Sequence, residues 1–162
     1  GKKVLQKIDK IIKIKAYNVK IIKKNIQNIL NNYDIICDCS DNFTTRYLLN
    51  DFCLKNKKIL ISAAINKFEA HIFNFNFSKN IPCYRCFMPE IPEQENKCDA
   101  EGILPTVAGI AGTLQANEVV KSILNKKNEL VGKMIVFNTL NLNFRKIKLT
   151  KDTDCISHCN KR

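Results

Sequence analysis

The run Ile35-Ile36-Cys37-Asp38-Cys39-Ser40-Asp41-Asn42, continued by F-T-T-R-Y-L-L-N-D-F-C-L-K-N over residues 43–56, decides the fold. Ile35 to Cys39 is a short run, apolar at four of its five positions, without polar alternation. A strand reads this way when both faces of a parallel sheet are covered. The polar tip Ser40-Asp41-Asn42 stands at the strand's carboxyl end, the edge where open α/β sheets hold ligands. The helix that follows carries Tyr47, Leu48, Phe52 and Cys53 on one stripe. Any of Ser40, Asp41 and Asn42 is placed to cap its first turn. Asp41 therefore has two readings here, a helix cap or a carboxylate facing a ligand.

Downstream, Lys58 to Ala64 is a second buried-strand pattern. Residues 70–77, A-H-I-F-N-F-N-F, alternate as a strand covered on one face would, and His71 within them reads as a packed or hydrogen-bonded residue. Strand, helix, strand and further strand make an α/β domain with a mixed sheet. Thr106 to Asn125 is the longest helical pattern, with Pro105 suited to its first turn. Gly109 and Gly112 cost that helix about 1 kcal/mol each relative to Ala. With Ala108, Ala111 and Ala116 they make a smooth face for close packing against sheet, loop or a second subunit. Two last strands, K-M-I-V-F-N (133–138) and N-F-R-K-I-K-L (143–149), flank a turn through Thr139–Asn141. Upstream, Val4, Leu5, Ile8, Ile11 and Ile12 recur at helical spacing. Residues 13–19, K-I-K-A-Y-N-V, alternate and predict a short strand. Lys24 to Asn31 predicts a second helix, ended by Asn32-Tyr33-Asp34.

The cysteines carry the chemistry. Cys83 and Cys86 form a C-x-x-C knuckle, followed by a loop with Pro89 and Pro92 that reaches a lone thiol, Cys98; Cys155 and Cys159 lie in the polar tail. Two thiolate pairs can close a tetrahedral zinc shell, and four protein ligands leave no open position, so the role is structural. The second pair is one residue wider than the first. His158 makes C-x-x-H with Cys155 and is open as an alternative ligand. The plainer reading is two unpaired surface knuckles. Cys98 is a candidate nucleophile, with Lys97 favouring the thiolate and Asp99 and Glu101 opposing it. Cys37, Cys39 and Cys53 read as core residues. The tail is expected to be ordered only if its cysteines are tied down.

Length and composition bound the answer. The 162 residues make one domain, and 45% hydrophobic content supports a real core. No apolar run approaches the ~20 residues that span a bilayer. The lysine-dotted first twenty residues carry no signal-peptide pattern, so a cytoplasmic location is expected, where eight cysteines serve metal binding, catalysis and burial rather than disulfides. Net charge is +12, from 27 Lys and Arg against 15 Asp and Glu. It suggests an anionic partner or a compositional bias toward lysine, and the lysines are spread rather than clustered. Absence of Trp and scarcity of Arg argue against nucleic acid. Neither G-x-G-x-x-G nor a Walker sequence is present among only five glycines.

The series D-C-S-D-N-F-x-T-R-Y-x-x-N (38–50), P-C-Y-R-C (82–86), C-D-A-E-G-I-L-P-T-V-A-G-I-A-G-T-L-Q-A-N-E (98–118) and F-N-T-L-N-L-N-F-R-K-I-K-L (137–149), closed by a terminal Cys pair, resembles the ThiF/MoeB/HesA family. These are prokaryotic relatives of ubiquitin-activating enzymes, and the resemblance covers the family's C-terminal two-thirds. It implies a Rossmann-like α/β mixed sheet flanked by helices, with a four-cysteine zinc knuckle and usually a homodimer. It implies ATP-dependent adenylation of the C-terminal glycine of a ubiquitin-like sulfur carrier, for thiamin, molybdopterin or related sulfur transfer. By position, Asp41 matches the aspartate that helps hold magnesium and the ATP phosphates, and Lys3 resembles the phosphate-contacting lysine. Asn42, Arg46 and Asn50 stand in the same family segment. Cys98 matches the crossover-loop cysteine of sulfur or acyl transfer, within a loop expected over residues 81–104. Cys83, Cys86, Cys155 and Cys159 match the zinc ligands.

The departures are specific. The family's glycine-rich nucleotide loop, an acidic residue and phosphate-binding arginines would lie upstream of Gly1. Asn138 stands where an aspartate is usual, and I-N-K-F-E-A (65–70) where a glycine-bearing stretch is usual. Half of an ATP site is therefore expected to come from elsewhere. The chain would be part of a longer protein, a partner of a separate N-terminal half, or a decayed copy.

Overall fold

The computed structural model describes residues 1–91 and 102–158. The chain builds helices α1 (Lys2–Ile8) and α2 (Ile26–Leu30), strand β1 (Ile35–Asp38), helix α3 (Phe43–Lys55), and strands β2 (Ile59–Asn66) and β3 (Glu69–Asn76). A short helix α4 (Tyr84–Phe87), the long helix α5 (Pro105–Ile123), and strands β4 (Lys133–Asn138) and β5 (Asn143–Lys148) complete it. The five strands form one sheet in chain order. β1 and β2 pair in parallel across α3, with Ile35 opposite Ile59 and Asp38 opposite Ser62, while β2 to β5 pair antiparallel. The expected mixed α/β sheet is present.

Helices cover both faces of the sheet. On one face α3 and α4 pack against Leu60, Phe73, Phe75 and Phe77; on the other, Val107 and Ala111 of α5 pack against Ala70 and Ile72. This corrects the expectation for residues 70–77. Ile72, Phe73, Asn74 and Phe75 are all buried, so the alternation sorts two covered faces rather than a covered and an open one. Phenylalanines serve the aromatic side, where Phe73 and Phe75 stack at 5.5 Å and Tyr84 meets Phe73 edge-on at 5.4 Å. Asn74, on the α5 side, is half satisfied: its Nδ2 donates to Glu118 Oε2 at 3.0 Å, while its Oδ1 has no partner among the described residues.

Three other expectations change. Residues 13–19 form no strand. A strand needs a neighbour for its ladder, and Tyr17 and Val19 lie exposed with none beside them among the described residues. The first helix stops at Ile8 rather than reaching Ile12. Asp9 turns the chain outward by accepting from Ile11 N at 2.7 Å, a local side-chain bond that competes with the helix. Cys37 and Cys39 are exposed rather than in the core, because β1 is an edge strand; Cys53 is buried as expected. On α5, Ala111 meets the sheet while Ala108, Gly109, Gly112 and Ala116 face outward. Among the described residues, no helix is long and apolar enough to cross a membrane.

Candidate active-site edge and metal centre

The polar tip after β1 is built around a buried ion pair. Asp38 accepts from Ser62 Oγ at 2.7 Å, from Ser40 Oγ at 2.6 Å and from Arg46 Nε at 3.2 Å. Arg46 also donates to Ser40 O at 2.8 Å and reaches Tyr84 Oη at 3.5 Å. Its guanidinium lies in the interior, 7% exposed, and braces the loop from beneath. From α5, Gln115 Nε2 donates to both Asp38 O and Ile61 O at 2.9 Å, pinning the end of β1 to β2. Asp38, Arg46, Ser62 and Gln115 are polar and buried, and each is hydrogen-bonded, which is what lets a rigid polar tip exist at the end of an apolar sheet.

The cap of α3 is Asn42. Its backbone is extended, at φ −133 and ψ 144, and its Oδ1 accepts from Thr45 N at 2.8 Å. Of the three side chains that the sequence leaves as candidates, the cap role falls to Asn42. Asp41 is exposed at the strand tip, with Asn42 Nδ2 3.1 Å from its Oδ1. Lys3 is exposed on α1. Cys98 and Cys159 lie outside the described residues.

The sulfurs converge. Cys83 Sγ is 3.9 Å from Cys86 Sγ and 3.7 Å from Cys155 Sγ, although 72 residues separate Cys83 from Cys155. Two thiolates on a tetrahedral zinc, each at 2.3 Å, sit about 3.8 Å apart. His158 joins them: the ligand atoms of Cys83, Cys86, Cys155 and His158 all lie within 4.8 Å of one another. Burial pushes the Cys83 thiol up to about 12, and the neighbouring sulfurs add to the rise. A dication reverses that balance, since a coordinating thiol is deprotonated outright. Burial also lowers the His158 pKa, with Lys151 adding to it, and so favours the neutral imidazole that binds metal. This soft, nearly closed donor set suits a structural zinc; the reading of two unpaired knuckles is set aside.

One helix joins the two features. From α3, Asn50 Oδ1 accepts from Tyr84 N at 2.8 Å, inside the first knuckle. Tyr47 Oη lies 2.7 Å from Met88 O and 2.9 Å from Glu90 O, its one proton shared between the two carbonyls where the chain leaves the knuckle. Burial raises the Tyr47 pKa to about 12, keeping it a neutral donor. Asp51 takes Arg85 Nε and Nη2 at 3.0 and 2.9 Å, and Ser157 Oγ at 2.7 Å. Sequence reasoning missed Tyr47 and Asp51 as site residues. In sequence Tyr47 reads as part of the core stripe, and Asp51 carries no signal beyond its place on the helix.

Comparison with known proteins agrees with this architecture. The sequence profile described as the ThiF family matches residues 1–157. The adenylyltransferase and sulfurtransferase MOCS3 of Dictyostelium discoideum is 36% identical over 157 residues, covering 94% of this chain and 37% of that protein. Its Xenopus laevis counterpart is 37% identical, covering 98% of this chain and 36% of that protein. A probable molybdopterin-synthase adenylyltransferase of Pyropia yezoensis is 41% identical over 139 residues, covering 84% and 36%. The chain thus spans roughly a third of the length of these relatives. Escherichia coli MccB superposes with a TM-score of 0.79 at 17% identity, over 99% of this chain and 49% of that one. Its structure with ATP gives 0.78 at 17% identity. At that identity the likeness is one of fold, whereas the family profile spans residues 1–157, and on it the chain belongs to the ThiF family.

Proposed function

We propose that these residues are the magnesium-side half of an adenylation site. The reaction would activate the C-terminal glycine carboxylate of a ubiquitin-like sulfur carrier for thiamin, molybdopterin or related sulfur transfer. The observation that carries the reading is the division of labour at the tip: Asn42 caps α3, and Asp41 is left exposed at the strand's carboxyl end. The relatives named adenylyltransferases support it.

Bound ATP would supply the adenylyl group, and magnesium the counter-charge for its phosphates. Asp41 offers a hard oxygen ligand of the kind magnesium takes beside substrate phosphates. Asn42 orients Asp41 through Nδ2. Arg46 contributes by position: its bond to Ser40 O holds the loop that carries both. Lys3 would offset charge as the carrier's carboxylate oxygen attacks the α-phosphorus and pyrophosphate leaves. Cys98 is assigned the later thiol step. A glycine-rich phosphate loop is not among the 162 residues, so activity is proposed to need such a segment, joined to this chain or supplied by a partner. The outward small-residue side of α5 would suit the second copy of a homodimer.

ATP–pyrophosphate exchange tests this, using a carrier ending in two glycines. The chain would be assayed alone and joined to the nucleotide-loop segment of a family member. Exchange is expected in the joined form, and its absence there would contradict the proposal. The missing phosphate loop also favours a second reading, a zinc-stabilised platform that binds a sulfur carrier or family partner without turning over ATP. Carrier binding that needs no ATP and survives Asp41→Ala would support it.

A further inference from the structure

We propose that the fourth metal ligand is His158, so that the centre is a Cys3His site formed by Cys83, Cys86, Cys155 and His158. The proposal rests on the zinc reading of this cluster and specifies how the shell is closed.

The two knuckles are built alike. Cys83-Tyr84-Arg85-Cys86 and Cys155-Ile156-Ser157-His158 have the same length and place a ligand at each end. Each is closed by the same backbone bond, from the fourth residue's N–H to the first residue's carbonyl: Cys86 N to Cys83 O at 3.1 Å, and His158 N to Cys155 O at 3.0 Å. That turn brings the first and fourth side chains toward one point.

A single carboxylate fixes the phase of both knuckles. Asp51 grips the third residue of each: Arg85 through Nε and Nη2, and Ser157 through Oγ at 2.7 Å. With Arg85 and Ser157 held on one side, Cys86 and His158 are both delivered to the next position, the metal side. Ile156, the second residue, is 64% exposed and takes no part.

The imidazole itself lacks a partner. His158 Nε2 is buried and receives no hydrogen bond among the described residues. Buried polar nitrogens are rarely left in that state unless an ion or water completes them. Three thiolates and one imidazole satisfy a tetrahedral zinc as well as four thiolates do. They leave the centre one negative charge lighter, and three thiol protons are released on binding instead of four.

The test loads the intact chain with zinc, and separately with cobalt, in wild-type, His158→Ala and Cys159→Ser forms. Metal content, the sulfur-to-cobalt charge-transfer band and peptide-mapped alkylation are read out. Wild-type is expected to hold one zinc, with Cys159 alkylated while Cys83, Cys86 and Cys155 are protected. Cys159→Ser should keep both the metal and an unchanged band. His158→Ala should weaken zinc binding by more than ~10-fold, or gain band intensity by recruiting Cys159 as a fourth thiolate. Loss of metal or band in Cys159→Ser, with His158→Ala unaffected and Cys159 protected, would overturn the assignment and leave the zinc reading standing. A wild-type chain that holds no zinc would overturn both.

Discussion

The Arg46 guanidinium lies 3.2 Å from the Asp38 carboxylate, and both side chains are buried. The pair sets the height of the loop that carries Asp41, because the same guanidinium holds Ser40 O. Breaking one partner of a buried pair is far worse than replacing both. Asp38→Ala should therefore lower stability by about 3–5 kcal/mol in urea unfolding. A double replacement of Asp38 and Arg46 by apolar residues should recover part of that loss.

The cap assignment separates two neighbouring residues. Asn42→Ala should cost about 1 kcal/mol of stability, as loss of an N-cap does, while Asp41→Ala should leave unfolding unchanged. Chemical denaturation of the two variants side by side measures this. Equal losses would return Asp41 to a structural role.

Metal removal should loosen the tail and α4 together. Chelation is expected to lower Tm and expose Cys155 to alkylation, with zinc restoring both, since binding to the folded state alone stabilises it by mass action. Cys83→Ser should imitate chelation and resist zinc.

Asp51 supplies a pH dependence. Burial by itself would raise its pKa, but the bonds from Arg85 and Ser157 outweigh this and hold it below the usual carboxylate range. An unfolded Asp titrates near 3.9. The folded value is lower, so the contribution is complete above that pH and disappears as pH falls through the folded value. Stability should drop across this acid window in the wild-type, and the drop should be smaller in Asp51→Asn. Thermal unfolding of both proteins from pH 6 downward checks it.

Much of the fold was legible because its signals are local. The apolar run of β1, the helix behind it and the paired strands of the C-terminal half each fall where the patterns put them. The failures share a cause, dependence on something distant in the chain. Residues 13–19 alternate correctly but have no neighbour strand among the described residues. The Phe and Asn of β3 alternate because α5 supplies Glu118, 44 residues away, to one side. At the site, composition revealed the thiols but not their phase. Asp51 reaches across 34 residues to Arg85 and 106 to Ser157, and that clamp, which no spacing rule displays, selects His158. Likewise Ser40, Asp41 and Asn42 are equivalent as caps until the backbone of Asn42 is seen to be extended.

Asp41 is the proposed magnesium-binding carboxylate of an adenylation site. The most direct measurement is the magnesium dependence of ATP–pyrophosphate exchange in the chain joined to a family nucleotide loop, comparing wild-type with Asp41→Asn. The variant is expected to keep its zinc and its folding stability, while exchange falls by at least ~10-fold and is partly regained at high magnesium. Exchange at the wild-type rate, with the same magnesium dependence, would contradict it.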